Sequence, residues 1–151
     1  MTANMAQRIL LCLFVLISAA AADYSNFTTT CENPVLHASR TGHLSQLSAS
    51  CVTNAGEDTG TNSTDTISIH NSTLDLNLCL GIDYTTAALV WSIYGKFSNY
   101  CTSCWVVGRT GLGCTCSTLS GVRANSTIDL DSGISNVNGT LSCQGGIGMD
   151  S

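Results

Sequence analysis

Asn71-Ser72-Thr73-Leu74-Asp75-Leu76-Asn77 recurs almost unchanged as Asn125-Ser126-Thr127-Ile128-Asp129-Leu130-Asp131. Two further blocks precede each copy in the same order, an opening segment that ends in cysteine and a Leu-x-x-x-Cys anchor. These blocks are Phe27–Cys31 and Leu47–Cys51 in the first copy, and Phe97–Cys101 and Leu112–Cys116 in the second. Three blocks in a constant order indicate one structural unit that has been duplicated. Such a duplication predicts a pseudo-symmetric fold with two equivalent surface sites.

The first 22 residues have the pattern of a secretory signal peptide. Arg8 precedes the apolar run Ile9–Ile17, and the small residues Ala19–Ala22 follow it. Such leaders typically have a positive flank, then an apolar stretch too short to cross a bilayer, and small residues at its end. An uncleaved membrane anchor is the alternative, but no charged stop-transfer flank supports it. We therefore expect cleavage after Ala22, secretion to the extracellular space and no membrane insertion afterwards.

The remaining chain is long enough for one compact domain, residues 23–144, followed by a tail at 145–151. We place the first repeat at about 25–94 and the second at about 95–143. Ten acidic side chains against five Lys and Arg give a formal net charge of −5, which argues against nucleic acid and anionic membranes as partners. Few charges and many Ser, Thr, Asn and Gly predict a surface suited to neutral polar ligands.

Five Asn-x-Ser/Thr sequons can carry glycans if the chain is secreted. They begin at Asn26, Asn62, Asn71, Asn125 and Asn138. Some sequons arise by chance in a chain rich in Ser, Thr and Asn, so the motif alone does not tell which are occupied. We expect a glycoprotein.

Eight cysteines remain once Cys12 leaves with the signal peptide, and an even number in a secreted chain predicts a disulfide framework. Equivalence of the repeats and nesting of the inner cysteines suggest four pairs. They are Cys31–Cys51, Cys101–Cys116, Cys104–Cys114 and Cys79–Cys143. The spacing of the four cysteines between 101 and 116 also resembles a four-thiolate zinc site. An oxidising compartment favours disulfides over zinc, and no strand–helix–strand pattern supports a redox-active Cys-x-x-Cys.

Short runs of period-two alternation predict half-buried strands, so the fold class is all-β. The candidates are Thr66–Ile69, Thr73–Leu80, Leu89–Tyr94 and Thr127–Leu130, with Leu36–Ser39 and Trp105–Val107 as weaker ones. Asn138-Gly139 is a strong hairpin signal. Outside the signal peptide, no window holds three turns of amphipathic helix. The first copy is longer than the second, which places an exposed loop insertion at 56–65.

Residue patterns that would support catalysis are weak. Asp75, Asp129 and Asp131 are the candidates for a carboxylate pair, but Asp75 and Asp129 occupy equivalent positions and should face solvent on separate strands. The histidines lack metal-ligand spacing and are interpreted as surface residues; they are His37, His43 and His70. Trp91 and Trp105 could stack on a sugar ring or fill a small core. We expect no enzyme, no metal and no cofactor.

Several blocks in both copies resemble the cyanovirin-N homology domain family, across the whole mature chain. The repeat openings are Ser25–Cys31 and Gly95–Cys101, and the closing segments are Leu74–Gly81 with Leu89–Trp91, and Ser126–Leu130 with Ile134–Leu141. Cys79 and the paired cysteines between 101 and 116 are similar to fungal members. The resemblance implies a pseudo-symmetric tandem-repeat fold, with two three-stranded sheets plus hairpins and strand exchange between the repeats. It also implies a non-catalytic lectin for mannose-rich glycans, monomeric or as a domain-swapped dimer.

The resemblance further implies two sugar pockets at opposite ends. Each combines the opening of one repeat, the residues after that repeat's second cysteine, and the closing loop of the other repeat. The first pocket would comprise Ser25, Asn26, Thr29, Thr30, Val52, Thr53, Ser135, Asn136, Val137 and Asn138. The second pocket would comprise Lys96, Asn99, Tyr100, Ser117, Thr118, Gly81, Ile82 and Asp83.

Two departures from the family pattern bear on these pockets. In the second pocket, the loop 82–88 replaces the family's Asn-x-Asn-Gly form and is two residues longer. In the first pocket, a glycan on Asn26 or Asn138 would obstruct the sugar site. We expect one working pocket. The alternative function is a secreted interaction or cell-surface protein that kept this scaffold and lost sugar binding, and a hydrolase built on Asp129 or Asp131 is remote.

Overall fold

A computed structural model describes residues 26–53 and 68–150. The expected signal peptide, Ser25 and the expected insertion at 56–65 lie outside the described residues. Apart from one helical turn, α1 (Phe27–Thr30), and three 3-10 turns, the described elements are strands, as predicted. The strands are β1 Cys31–Ala38, β2 Leu44–Thr53, β3 Ser68–Asp75, β4 Leu80–Ile82, β5 Leu89–Trp91, β6 Cys101–Val107, β7 Gly111–Ser117, β8 Arg123–Asp129, β9 Ile134–Val137, β10 Thr140–Cys143, β11 Gly146–Ile147 and β12 Met149–Asp150.

The strands form two larger sheets, and each sheet is covered by a hairpin from the other repeat. The sheets run β1-β2-β3-β12 and β6-β7-β8, and the hairpins are β4-β5 and β9-β10, the latter extended by β11. In the first half, the Ser72 hydroxyl accepts a hydrogen bond from Leu141 N at 3.0 Å. In the other half, the Ser126 hydroxyl accepts one from Leu89 N at 2.8 Å. The predicted strand exchange is confirmed.

The duplicated seven-residue segment, 71–77 and 125–131 (the heptad), explains this symmetry because its Asn, Ser and Asp residues make the same contacts in both copies. Asp75 and Asp129 each end a strand and accept a hydrogen bond from the backbone two residues ahead, at 3.0 and 3.1 Å, which starts a 3-10 turn. The carboxylates therefore shape the backbone and do not form a pair. The turn at Leu76–Leu78 also breaks the strand that we predicted over Thr73–Leu80. Because Asp offers its side chain to the local backbone, it ends strands that apolar alternation alone would continue.

The last residue of each heptad joins the two repeats. The side-chain oxygen of Asn77 accepts a hydrogen bond from Ser98 N at 3.1 Å, and that of Asp131 accepts one from Thr28 N at 2.8 Å. Both donors follow the phenylalanine that opens a repeat. Phe27 and Phe97 are at most 1% exposed, and burial of such a ring stabilises the fold by roughly 1.5–3 kcal/mol. The heptad thus positions the opening segment of the partner repeat.

All four predicted disulfides are present. The alternative hypothesis of a four-thiolate zinc site between residues 101 and 116 is therefore wrong. The pairs are Cys31–Cys51, Cys79–Cys143, Cys101–Cys116 and Cys104–Cys114. The first and third pairs lie directly opposite each other on adjacent strands. Counting from those cysteines, Pro34 and Ala49 occupy in the first repeat the positions of Cys104 and Cys114 in the second. The inner bridge is therefore an addition to the common unit.

The Cys79–Cys143 bridge has a non-covalent counterpart. The symmetry equivalents of Cys79 and Cys143 are Gly133 and Trp91, and the Trp91 ring lies directly on Gly133. A Cβ atom at Gly133 would come within 2.4 Å of the ring, so only glycine fits. Trp91 Nε1 donates a hydrogen bond to the Ser132 hydroxyl at 3.0 Å. Trp91 is therefore a packing residue, and no free sugar-stacking face is inferred for it.

Two strand predictions change in extent. The predicted strand Leu89–Tyr94 ends at Trp91, and Tyr94 has a positive φ of 53° that an extended strand excludes. Within the residues predicted as a tail, β11 pairs with β10 and β12 pairs with β3, so the first sheet has four strands where three were expected. No helix within 26–53 or 68–150 has the length and apolarity to span a membrane.

Candidate functional site

The first wall of the first pocket is α1 and the residue before it. The hydroxyls of Thr29 and Thr30 both donate to the Asn26 backbone carbonyl, at 3.1 and 2.6 Å. These bonds tighten the single helical turn. The turn is held in place by the buried ring of Phe27 and by the hydrogen bond to Asp131. Asn26 and Thr29 are exposed, while Thr30 is half-buried. The opening segment thus presents amide and hydroxyl groups on a fixed turn.

The second wall is the turn of the β9-β10 hairpin. Asn138 and Gly139 have φ values of 51° and 88°, as a two-residue hairpin turn with both central residues left-handed requires. A Cβ atom at Gly139 would lie 2.5 Å from the Thr53 side chain and 3.3 Å from that of His70. The turn therefore packs against the ends of β2 and β3, with Asn138 and Val137 exposed above it.

Asn136 joins these walls. Its backbone N–H donates to Asn26 Oδ1 at 2.7 Å, and its Nδ2 donates to the Val52 carbonyl at 2.7 Å. Its Oδ1 accepts from Gly139 N at 2.7 Å. The Asn136 backbone thereby contacts the opening segment, while its side chain joins the residue after Cys51 to the closing turn.

The structure brings together the described residues predicted for the first pocket. Asn26, Thr29, Thr30, Val52, Thr53, Asn136, Val137 and Asn138 lie at one end of the molecule around the Asn136 hydrogen bonds. Ser135 lies in β9 and is 6% exposed, so it is not part of the pocket surface. Ser25 lies outside the described residues. None of these residues is charged, which suits a neutral ligand that forms hydrogen bonds.

The second pocket lacks the same connection. Pairing of β4 with β5 places Ile82 opposite Leu89, as Asn136 lies opposite Leu141, so Ile82 occupies the position of Asn136. Ile82 is buried, and its side chain has no hydrogen-bonding group. Gly81 is also buried. The closing loop of this pocket therefore cannot repeat the amide network of the first.

The Asp83 carboxylate accepts hydrogen bonds from residues of its own loop. Its Oδ1 accepts hydrogen bonds from the Thr85 hydroxyl and backbone N–H and from Thr86 N, at 2.5, 2.7 and 3.1 Å. The hydrogen bonds from Thr85, followed by those from Thr86, hold the pKa of the Asp83 carboxyl below its ordinary value of 3.8. Asp83 is therefore ionised at neutral pH and places a negative charge in the closing loop, whereas the closing loop of the first pocket, 135–138, has none.

Tyr84 and Tyr100 lie against each other at the second pocket. Their rings meet edge to face with centroids 5.4 Å apart, and the Tyr84 hydroxyl donates to that of Tyr100 at 3.5 Å. This hydrogen bond, together with the charge interaction between the hydroxyls, raises the pKa of Tyr84 above its ordinary 10.0. Thr118 is buried, and its hydroxyl lies 2.8 Å from that of Ser120. Half-buried Ser117 donates its backbone N–H to the Tyr100 carbonyl.

Lys96 and Asn99 line a separate cleft of about 710 Å³, together with Arg40 and Tyr94. Its far wall is the β1-β2 turn of the first repeat. The structure therefore divides the residues predicted for the second pocket between the tyrosine pair, a buried strand and this cleft.

His70 and Asp131 are two contributors to the first pocket that the sequence pattern did not reveal. His70, interpreted as an isolated surface residue, is exposed on β3 beside the Gly139 turn. Asp131, considered only as a catalytic carboxylate, accepts the Thr28 N–H and positions the opening segment. The β2-β3 register would have revealed His70, but the length difference between the repeats hides that register.

Comparisons with known proteins agree with this fold. A family model described as the CVNH domain matches residues 27–142, and a search of curated proteins finds no match. Among solved structures, TbCVNH of T. borchii is 28% identical with a TM-score of 0.53, over 78% of this chain and 98% of that one. Microvirin, solved with mannobiose, is 24% identical with a TM-score of 0.57, over 79% and 98%. A MoCVNH3 variant, solved with (N-GlcNAc)4, is 17% identical with a TM-score of 0.60, over 79% and 97%.

The family match extends over most of the chain, from the opening of the first repeat into the last hairpin, and includes three of the four disulfides completely. The chain therefore belongs to the CVNH, or cyanovirin-N homology, family, whose members are carbohydrate-binding and non-catalytic.

Proposed function

We propose that this chain is a secreted lectin that binds mannose-type oligosaccharides through the first pocket alone. The observation that carries the proposal is Asn136, whose backbone N–H binds the opening segment while its side chain joins Val52 to the closing turn, so that polar, uncharged groups meet at one end. The second pocket has buried Ile82 in that position and a carboxylate beside it.

The chemistry of the first pocket suits vicinal sugar hydroxyls. Amide groups donate and accept at fixed spacing, and hydroxyls such as that of Thr29 can do both. Because these groups are held by a disulfide-clamped sheet, little side-chain order has to be created on binding. A shallow neutral pocket of this kind gives weak affinity for one sugar unit, and longer oligosaccharides gain contacts with exposed Asn138 and Val137.

The solved relatives support carbohydrate as the ligand class. Microvirin was solved with mannobiose, and a MoCVNH3 variant was solved with an oligomer of GlcNAc. These sugars differ in their substituent at C2, and the two structures together leave either class open for this chain. The neutral first pocket suits both classes, and the family resemblance favours mannose-type glycans as the proposal.

A glycan array and a mannan column test the proposal directly. The protein is produced without N-glycans, so that sequons at Asn26 and Asn138 cannot block the pocket. We expect retention on mannan, elution by oligomannose and a stoichiometry of one oligosaccharide per chain. Failure of the folded protein to bind any glycan on the array would contradict the proposal and favour an interaction protein on the same scaffold. Binding to GlcNAc oligomers alone would contradict the mannose assignment.

Matched substitutions locate the binding site. Thr29→Ala and Asn138→Gly alter exposed groups of the first pocket, and glycine preserves the left-handed turn at position 138. Asn99→Ala removes the symmetry equivalent of Thr29. We expect the first two variants to lose at least tenfold in affinity, which is about 1.4 kcal/mol, and the third to keep it. Equal losses in all three would contradict a single working pocket.

Secretion has its own test. The full chain expressed in a eukaryotic host should appear in the medium with Asp23 as its first residue. Retention in the cell with an intact N-terminus would contradict this part of the proposal and leave the sugar-binding part unaffected.

A further inference from the structure

The outer face of the β6-β7-β8 sheet carries an exposed tryptophan that the proposed sugar pocket does not use. Trp105 lies opposite Gly113 on the next strand, and a Cβ atom at Gly113 would be 2.6–2.8 Å from three atoms of the indole ring. The ring therefore leans across β7, yet 43% of the residue remains exposed. Among the described residues, its Nε1 has no hydrogen-bond acceptor, in contrast to Trp91.

Asn125 stands on the same face, two strands away. Thr115 pairs with Asn125, and Gly113 pairs with Thr127, so Asn125 is a diagonal neighbour of the glycine beneath the indole. The Thr115 hydroxyl donates to Asn125 Oδ1 at 2.8 Å. This bond orients the amide and leaves Nδ2 without a partner among the described residues. Asn125 and Thr127 are exposed and complete an Asn-Ser-Thr sequon.

The first repeat provides an internal comparison. Asn71 is the equivalent of Asn125, and its Oδ1 accepts from the Ser50 hydroxyl at 2.7 Å. Val35 and Ser48 stand where Trp105 and Gly113 stand in the second repeat. The two sequons thus share backbone and hydrogen bonding, but the indole of Trp105 is replaced by the Val35 side chain in the first repeat.

We propose that Asn125 is N-glycosylated and that its first GlcNAc lies on the exposed face of Trp105. Diagonal side chains on neighbouring strands are about 7–8 Å apart, and the indole already extends over β7 towards β8. A pyranose joined to Nδ2 reaches this ring. Its C–H groups can cover the apolar indole face, and its acetamido oxygen can accept from Nε1.

The covalent step takes place during passage through the secretory pathway. Asn125 Nδ2 forms a bond to C1 of the first GlcNAc and loses one proton, and the lipid diphosphate of the oligosaccharide donor leaves. The inference rests on the proposed secretion and not on the proposed sugar binding.

The first experiment is glycopeptide mass spectrometry of the full chain secreted from a eukaryotic host. We expect a glycan on Asn125, and an unmodified Asn125 would overturn the inference. Retention on mannan is measured separately on protein made without N-glycans, because a glycan on Asn26 or Asn138 would block the proposed pocket. A loss of retention bears on the proposed lectin function and leaves the Asn125 result unchanged.

The second experiment separates stacking from simple occupancy. One endoglycosidase trims the glycans to the first GlcNAc. Protein made without N-glycans serves as the fully deglycosylated reference, because an amidase would leave Asp in place of each glycosylated Asn. We expect the trimmed protein to have a Tm about 3 °C above that of the fully deglycosylated protein, with Trp105 fluorescence less accessible to acrylamide. Equal Tm values and equal quenching would overturn the stacking.

Two variants serve as controls. In Trp105→Val, which copies Val35 of the first repeat, the Tm difference between trimmed and deglycosylated protein should disappear. In Asn71→Gln, which removes the equivalent sequon, it should persist. A Tm difference that follows Asn71 rather than Trp105 would contradict the inference. If Trp105→Val does not fold, the quenching comparison in the wild-type chain still decides the question.

Discussion

At the scale of single residues, one amide explains why the two ends of a duplicated molecule differ. Asn136 and Ile82 occupy equivalent positions on equivalent hairpins. The amide donates to the Val52 carbonyl and accepts from Gly139 N, whereas the isoleucine turns inward and is buried. This difference between a polar and an apolar side chain removes the amide hydrogen bonds from the second end.

Asn136→Asp should remove the hydrogen bond to the Val52 carbonyl while keeping the one from Gly139 N. The carboxylate keeps an acceptor for Gly139 N, but it loses the Nδ2 donor and places negative charge beside the Val52 carbonyl. We expect a loss of about 1–3 kcal/mol in the free energy of unfolding, measured with urea, together with loss of mannan binding. Asn138→Asp is the control, because the residue is exposed and its side chain forms no hydrogen bond with the described residues. A variant as stable as the control would contradict the role of the Val52 contact.

Asp83 predicts an acid-dependent contribution to stability. Hydrogen bonds from Thr85 and Thr86 lower its folded-state pKa below 3.8, so the ionised form stabilises the folded state. This contribution is complete above pH 3.8 and is lost as the pH falls through the folded-state pKa. Asp83→Ala should therefore be less stable than wild type by a constant amount near neutral pH, and the difference should shrink below pH 3.8 in urea titrations. A difference that grows on acidification would refute the assignment.

At the scale of elements, each repeat is a sheet that was duplicated and then modified separately. Positive φ values at Asn33 and Ser103, 52° and 49°, mark the same bulge after the first cysteine of each sheet. The second sheet adds the Cys104–Cys114 bridge beside this bulge, and the first sheet has Pro34 and Ala49 there. The modifications fall around a common backbone because the bulge and the paired cysteines set its register.

The disulfides should contribute unequally. The Cys79–Cys143 bridge spans 64 residues and joins the two repeats, whereas the Cys104–Cys114 bridge spans 10 and is nested inside another loop. Replacement of both cysteines by alanine should cost about 4 kcal/mol for the first pair and about 2 kcal/mol for the second, because longer loops lose more entropy on closure. Thermal and urea unfolding measure both. Equal losses would show that strain or residual structure outweighs loop length.

At the scale of the whole molecule, the exchange of hairpins makes neither repeat complete. The β9-β10 hairpin follows the second sheet in the chain, but Leu141 N binds Ser72 of the first sheet. The core is therefore shared, and the two repeats are expected to unfold as one cooperative unit.

A fragment of residues 95–143 should accordingly fail to fold alone. Its sheet would lack the covering β4-β5 hairpin, its own hairpin would lack a sheet, and Cys143 would lack Cys79. We expect poor amide dispersion by NMR and no cooperative thermal transition. Addition of residues 23–94 under oxidising conditions should restore both. A cooperative transition in the isolated fragment would contradict the shared core.

The sequence by itself determined the repeat, the all-β class, the four cysteine pairs and the Asn138-Gly139 hairpin. These follow from neighbouring residues or from comparison of one copy with the other, and both are readable along the chain. The tendency of Asp75 and Asp129 to bind the local backbone can also be recognised from the sequence. Our prediction followed the apolar alternation instead, and it therefore extended the strand beyond Asp75 to Leu80.

Only the tertiary structure decided which pocket is assembled. Asn26 and Asn136 are 110 residues apart, and their contact depends on the exchanged hairpin, the register of β2 with β3 and the packing of Gly139 on Thr53 and His70. Periodicity reports which face of a strand is apolar, but it does not report which distant side chain will meet it. Ile82 and Asn136 look interchangeable as loop residues until burial of one and hydrogen bonding of the other distinguish them.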